Sequence, residues 1–151
     1  MRHPQAWMVS LYRYMLNGAF DYNERKKKKG QNRKLEFDDF VKYILVNPPK
    51  YVRFLGLKQI DYLSDRNGKL KVPFHKLENI ESINDFFEKN NIMIRFDQIR
   101  HDNMSNGGAS YDWKTYYDKY PSVVNIIYHY LKDDSVTLGY DVYMGSGSTN
   151  K

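Results

Sequence analysis

Apolar residues recur at helical spacing along most of this chain, and only one or two short runs, of which Leu70 to Phe74 is the clearer, read as strand. A parallel sheet needs several strands, each buried on both faces and joined by crossover helices. Helices with so few strands are an unbalanced inventory for an isolated α/β domain. The expectation is that the missing strands lie upstream of Met1.

The helical segments can be placed individually. Trp7, Met8, Leu11, Tyr14 and Met15 predict a helix over 4–17, ending near Gly18. Residues 37, 40, 41, 44 and 45 form the apolar face of a second helix, halted by Asn47-Pro48-Pro49. Residues 57–63 read as a short helical or extended piece, and Asp65 to Gly68 as a turn. Glu81 to Asn90 reads as a helix, and Trp113 to Tyr117 begins another. Pro121 opens the last helix, whose apolar face is Val123, Val124, Ile127, Tyr128 and Leu131. His101 to Ser110 is a polar loop rich in Asn and Gly. The Ser/Gly-rich end, 144–151, predicts a disordered tail after a single domain spanning 1–143.

Composition excludes several classes. No run approaches the roughly 20 apolar residues of a membrane span, and no signal-peptide core follows Met1-Arg2. As written, the chain therefore reads as cytoplasmic. With no cysteine there is no disulfide, no thiol nucleophile and none of the usual thiolate metal ligands. His75 reads as a strand residue and His129 as a helix-face residue. Neither has metal-ligand spacing to a further His or carboxylate pair, and no metal is expected. The formal charge of +6 is concentrated at one end: residues 1–34 carry nine Lys/Arg against Asp21 and Glu24, while the remainder carries 15 basic against 16 acidic side chains. Arg25 to Lys29, with Arg33 and Lys34, reads as an exposed loop that is either merely solvated or a basic rim for an anionic ligand.

The start of the chain has the chemistry of a phosphate site. Pro4 stands at the first position of an amphipathic helix, so orphan N–H groups and the positive end of the helix dipole face Arg2. Arg2 adds a fixed charge with forked donors, and Ser10, about two turns on, adds a hydroxyl. Gly107-Gly108 lacks the pattern of a phosphate-binding loop and reads as a flexible turn.

An ordered series of short motifs then resembles the sulfotransferases of the carbohydrate, Golgi type. The series runs Arg2-His3-Pro4 with Ser10 and Tyr12, Phe37-Asp38-Asp39-Phe40-Val41, Gln59-Ile60-Asp61-Tyr62-Leu63 and Lys76-Leu77-Glu78-Asn79-Ile80. It continues with His101-Asp102-Asn103-Met104-Ser105, Tyr116-Tyr117 and Leu138-Gly139-Tyr140. The resemblance covers nearly the whole chain in the right order. Two positions depart from the family pattern: Trp7 stands where Arg or Lys is frequent, and Lys76 where Arg is common.

What the resemblance implies is an α/β fold of the P-loop NTPase-like kind, of which this chain is the helix-rich C-terminal part of a parallel-sheet domain. It also implies transfer of a sulfonyl group from 3′-phosphoadenosine 5′-phosphosulfate (PAPS) to a hydroxyl or amine of a carbohydrate acceptor. Arg2 and Ser10 fall on the family's 3′-phosphate motif. Asn103 and Ser105 fall on its cofactor-covering loop, with Ser110 a further candidate contact. The loop gripping the 5′-phosphosulfate, and the catalytic base after it, would lie upstream of Met1. No catalytic residue is assigned here, although His3, His75, His101 and Glu78 invite it; Glu78 reads as ordering its surroundings through hydrogen bonds. A Golgi membrane location follows if an anchor lies upstream, and an anionic glycan acceptor would suit the basic loop.

Two other readings compete. A small basic nucleic-acid-binding module would use Tyr and Phe as stacking surfaces and Arg25 to Lys34 for backbone contacts, whereas the sulfotransferase reading expects no nucleic acid. An inactive remnant would keep the fold fragment without activity.

Overall fold

The computed structural model describes residues 1–16, 35–46, 58–98 and 112–146. Five α-helices stand in this order: α1 (Pro4–Tyr14), α2 (Phe37–Val46), α3 (Ile80–Lys89), α4 (Lys114–Lys119) and α5 (Val124–Leu138), among the described residues. Short 3-10 turns at Gln59–Tyr62, Phe96–Gln98 and Pro121–Val123 join them.

α1 starts where the Pro4 ring pre-sets the backbone and the His3 ring accepts from the Gln5 N–H. It ends earlier than the expected residue 17, with residues 15–16 in a widened turn; the expected stop at Gly18 lies outside the described residues. α2 carries Asp38 and Asp39 in its first turn, where the helix dipole favours negative charge. Its apolar face is buried as expected at Phe37, Phe40, Val41 and Ile44. Asn47-Pro48-Pro49, the basic run 25–34 and the loop His101 to Ser110 lie outside the described residues.

α1, α2 and α5 share one core. Met8, Val9, Phe37, Phe40, Val41, Tyr117, Val123 and Ile127 are sealed from solvent within it. The Tyr12 ring lies 5.3 Å from both Phe37 and Phe40, and Phe37 also meets Tyr116 and Tyr117 edge-on at 5.6 Å. Such aromatic pairs add specific geometry to area burial. Val123, in the turn before α5, and Val124, Ile127 and Leu131 on it are buried as expected, but Tyr128 is not part of this core and Tyr130 packs on it instead. The buried stripe continues along α5 through Asp134, Ser135 and Leu138.

α5 ends at Gly139, whose φ of 65° is the left-handed conformation that glycine adopts without strain, and the Tyr140 N–H closes back on Ser135 O at 2.8 Å. α3 begins with the Asn79 side chain accepting from the Ser82 N–H at 3.0 Å.

The expected strand Leu70 to Phe74 is not formed. Among the described residues there is no strand, only an antiparallel bridge between Ser64 and Leu70. The Lys71 and Val72 N–H groups both turn back to Leu63 O, at 2.8 and 3.3 Å, and Pro73 has no N–H to offer. The segment therefore closes the Asp65 to Gly68 turn instead of reaching a neighbour. That turn itself is as expected, with Gly68 N–H on Asp65 O at 2.9 Å. His75, expected on a strand, lies in the irregular stretch that follows. Of the expected tail, residues 144–146 are described, and the Ser146 N–H donates to Asp118 Oδ1 at 2.7 Å.

Candidate functional site

Residues 1–3 run in extended form between the Gln59–Tyr62 turn on one side and residues 75–78 on the other. Met1 O accepts from the Leu77 N–H at 2.7 Å and from the Tyr140 hydroxyl at 3.0 Å, and the Met1 ammonium donates to His75 O. The His3 N–H donates to Glu78 Oε1 at 2.9 Å. Opposite them, one side-chain amide does the work of a neighbouring strand. Gln59 Oε1 accepts from the Arg2 N–H at 3.1 Å, while Gln59 Nε2 donates to Arg2 O at 2.8 Å.

Gln59 is held in turn by Asp134 of α5. Both groups are buried, Gln59 at 6% and Asp134 at 1% exposure. Asp134 accepts from the Gln59 N–H at 2.7 Å and from the Ile60 N–H at 3.2 Å. Burial pushes the Asp134 carboxyl up from its ordinary value and Asp61 adds to this, against the pull of the two N–H groups and Lys58. Gln5, at 1% exposure, repeats the device: its Nε2 donates to Tyr143 O at 2.8 Å and its Oε1 accepts from the Tyr143 N–H at 2.7 Å. The Tyr117 hydroxyl donates to Gln5 O at 3.0 Å.

This scaffold brings the two expected phosphate ligands together. Arg2 Nη1 donates to Ser10 Oγ at 3.0 Å, both residues being half-buried. No carboxylate pairs the guanidinium among the described residues, so its remaining donors have no salt-bridge partner there. Ser10 accepts from Arg2, which leaves its own hydroxyl proton to donate. A guanidinium fork and a hydroxyl donor on adjacent atoms suit a phosphate dianion. The helix start is less open than the sequence suggests, because the His3 ring takes the Gln5 N–H at 3.3 Å. Asn103, Ser105, Ser110 and His101 lie outside the described residues.

The residues considered as bases have other duties. The His3 ring packs at a tilt between Trp113 and Tyr140, with ring centroids 4.5 and 5.0 Å away, and its Nε2 meets Asp141 O at 2.9 Å. His75 Nδ1 pairs with Ser82 Oγ at 2.8 Å, and His129 is exposed on α5. Glu78 orders its surroundings as expected, accepting from the His3 N–H and, at 2.8 Å, from the Tyr140 hydroxyl. Burial pushes the Glu78 carboxyl up, but these two donors outweigh it and hold the carboxyl below its ordinary value. Lys76 donates to Gly139 O and lies 4.4 Å above the Tyr140 ring.

Sequence reasoning missed Gln59 as a positioning residue, and missed Asp134 altogether. The signal for Asp134 was present: it stands three residues after Leu131 and four before Leu138, on the buried face of α5, where an unpaired carboxylate would be costly. Elsewhere a cleft of about 330 Å3 opens at the far end of α1, lined in part by Tyr12, Glu36, Tyr116 and Lys119, and neither Arg2 nor Ser10 lines it.

Among the described residues no group of three or more His, Asp or Glu is arranged to hold a metal ion, and no helix is long and apolar enough to cross a membrane. No family model, no curated protein and no solved structure matches the chain.

Proposed function

We propose that this chain carries the 3′-phosphate half-site of a carbohydrate-type sulfotransferase, with Arg2 and Ser10 gripping the 3′-phosphate of PAPS. The observation that supports this reading most is the 3.0 Å contact between Arg2 Nη1 and Ser10 Oγ. Two residues eight positions apart, chosen for their motif, meet with donor capacity to spare. Arg2 would place two N–H groups on the phosphate oxygens and Ser10 one O–H, which together select a nucleotide carrying a 3′-phosphate. Asn103 and Ser105 would cover the cofactor.

In sulfonyl transfer the sulfur–oxygen bond to the 5′-phosphate breaks as the acceptor hydroxyl or amine attacks, and negative charge gathers on the leaving phosphate. On this reading the loop that grips that phosphate, the acceptor's base and the strands of a P-loop-like parallel sheet belong to the upstream part of the domain. This chain supplies affinity and orientation. The acceptor class is a carbohydrate, with the basic run 25–34 favouring an anionic one.

Calorimetric titration with 3′,5′-bisphosphoadenosine, with AMP as control, tests the reading. Saturable binding that AMP does not reproduce, and that weakens about 30-fold in Arg2→Ala/Ser10→Ala, is expected, given what charge-assisted hydrogen bonds contribute. Equal binding of both nucleotides, collapsing with salt, would favour the nucleic-acid-binding module instead. An extended chain that binds but transfers no sulfonyl group would be the inactive remnant.

A further inference from the structure

The two ring nitrogens of His3 are committed to opposite roles. Nε2 lies 2.9 Å from Asp141 O, a carbonyl that can only accept, so Nε2 carries the proton. Nδ1 lies 3.3 Å from the Gln5 N, which can only donate, so Nδ1 is bare. Both partners therefore select the neutral Nε2–H tautomer. A second proton has one place to go, and on Nδ1 it would confront the Gln5 N–H, donor against donor. The ring would then have to leave its position as the cap of α1, and with it the Asp141 carbonyl and the tilted ring contacts with Trp113 and Tyr140.

We propose that His3 is a proton-operated latch that ties the start of α1 to Tyr140 and Asp141 of the C-terminal segment and lets go of them on acidification, while Gln5 keeps its hold on Tyr143. The charged and titratable groups around it come from every neighbouring element. Glu78 stands before α3, Lys114 on α4, and Tyr140 and Asp141 in the C-terminal segment. Burial lowers the His3 pKa from its ordinary 6.5; Lys114 lowers it further, while the Asp141 carbonyl, Glu78 and the Asp141 charge oppose this.

The direction of the pH effect follows. The unfolded chain takes up the proton at about pH 6.5 and the native ring only lower, so this group's contribution to stability is full above 6.5. It falls as the pH drops below that value, and levels out once the native ring is also charged. Asp134, whose pKa is raised, contributes with the opposite sign. The latch needs no ligand, so its test is independent of the function proposed above.

The test follows the His3 ring and the Gln5 backbone amide by NMR from pH 8 to 5, with urea unfolding of the wild type and His3→Asn over the same range. Asn caps a helix without titrating. The Gln5 amide is expected to move with the midpoint of the His3 ring, below 6.5. The wild type is expected to lose about fivefold in its folding equilibrium relative to His3→Asn as the cap is lost. A Gln5 amide indifferent to the ring, or a difference between the two proteins that does not change with pH, overturns the latch. Should His3→Asn fail to fold, the amide titration of the wild type decides alone.

Discussion

The helical core and the seam around residues 1–3 are built from different forces. In the core, Met8, Phe37, Phe40, Tyr117 and Ile127 exclude water and touch one another, each contributing by area and fit. In the seam, Gln59, Asp134, Gln5, Glu78 and Tyr140 act through single directed hydrogen bonds to backbone atoms far away in sequence. Removing a core ring leaves a cavity whose cost grows with its volume, whereas removing a seam group leaves named donors unpaired. The core decides whether the chain folds; the seam decides where Arg2 sits relative to Ser10.

Substitutions at three residues would sharpen or break this contrast. Phe37→Ala should have the largest effect, about 4 kcal/mol by urea unfolding, because five aromatic neighbours, Tyr12, Phe40, Tyr116, Tyr117 and Tyr120, lose their partner in a sealed site. A loss below about 1 kcal/mol would mean that the core is not packed as described.

Asp134→Ala should cost about 3 kcal/mol, since it orphans the N–H groups of Gln59 and Ile60 at a buried position. Because burial raises the Asp134 pKa, the native state holds this proton more tightly than the unfolded chain. Its contribution is then full below the ordinary 3.8 and is lost as the pH rises through the higher native value. Asp134→Asn should remove that stretch of the wild-type stability–pH curve. An unchanged curve would show that Asp134 is not the group responsible.

Tyr140→Phe should be the mildest, about 1 kcal/mol, with the hydroxyl contacts to Met1 O and Glu78 lost but the ring retained. With one donor gone, the Glu78 carboxyl should titrate at a higher pH by NMR. A Glu78 titration that stays where it was would separate this carboxylate from the seam.

The two regions also differ in how far they could be read in advance. The spacing of Phe37, Phe40, Val41 and Ile44 announced α2 and its buried face, because a helix of 3.6 residues per turn puts those positions on one side. The turn at Asp65 to Gly68 was legible for a similarly local reason, a glycine with φ of 76°. Leu70 to Phe74 was misread, since apolar content suggests a strand but only a partner makes one, and here both candidate N–H groups curl back to Leu63. At the site, Arg2 just ahead of α1 and Ser10 on it were legible as chemical types, and Glu78 as an ordering residue. The reach of Gln59, Gln5 and Asp134 was not, since a polar side chain carries no periodic mark of the backbone it will meet.

By itself, then, the amino-acid order determined the helices, their buried faces and the residue types collected at the head of α1, because these depend on neighbours within a turn or two. The tertiary structure alone decided that Arg2 lies against Ser10 and that His3 must carry its proton on Nε2. Those outcomes depend on partners as far as 138 positions apart, such as His3 and Asp141, whose meeting is set by how the helices pack.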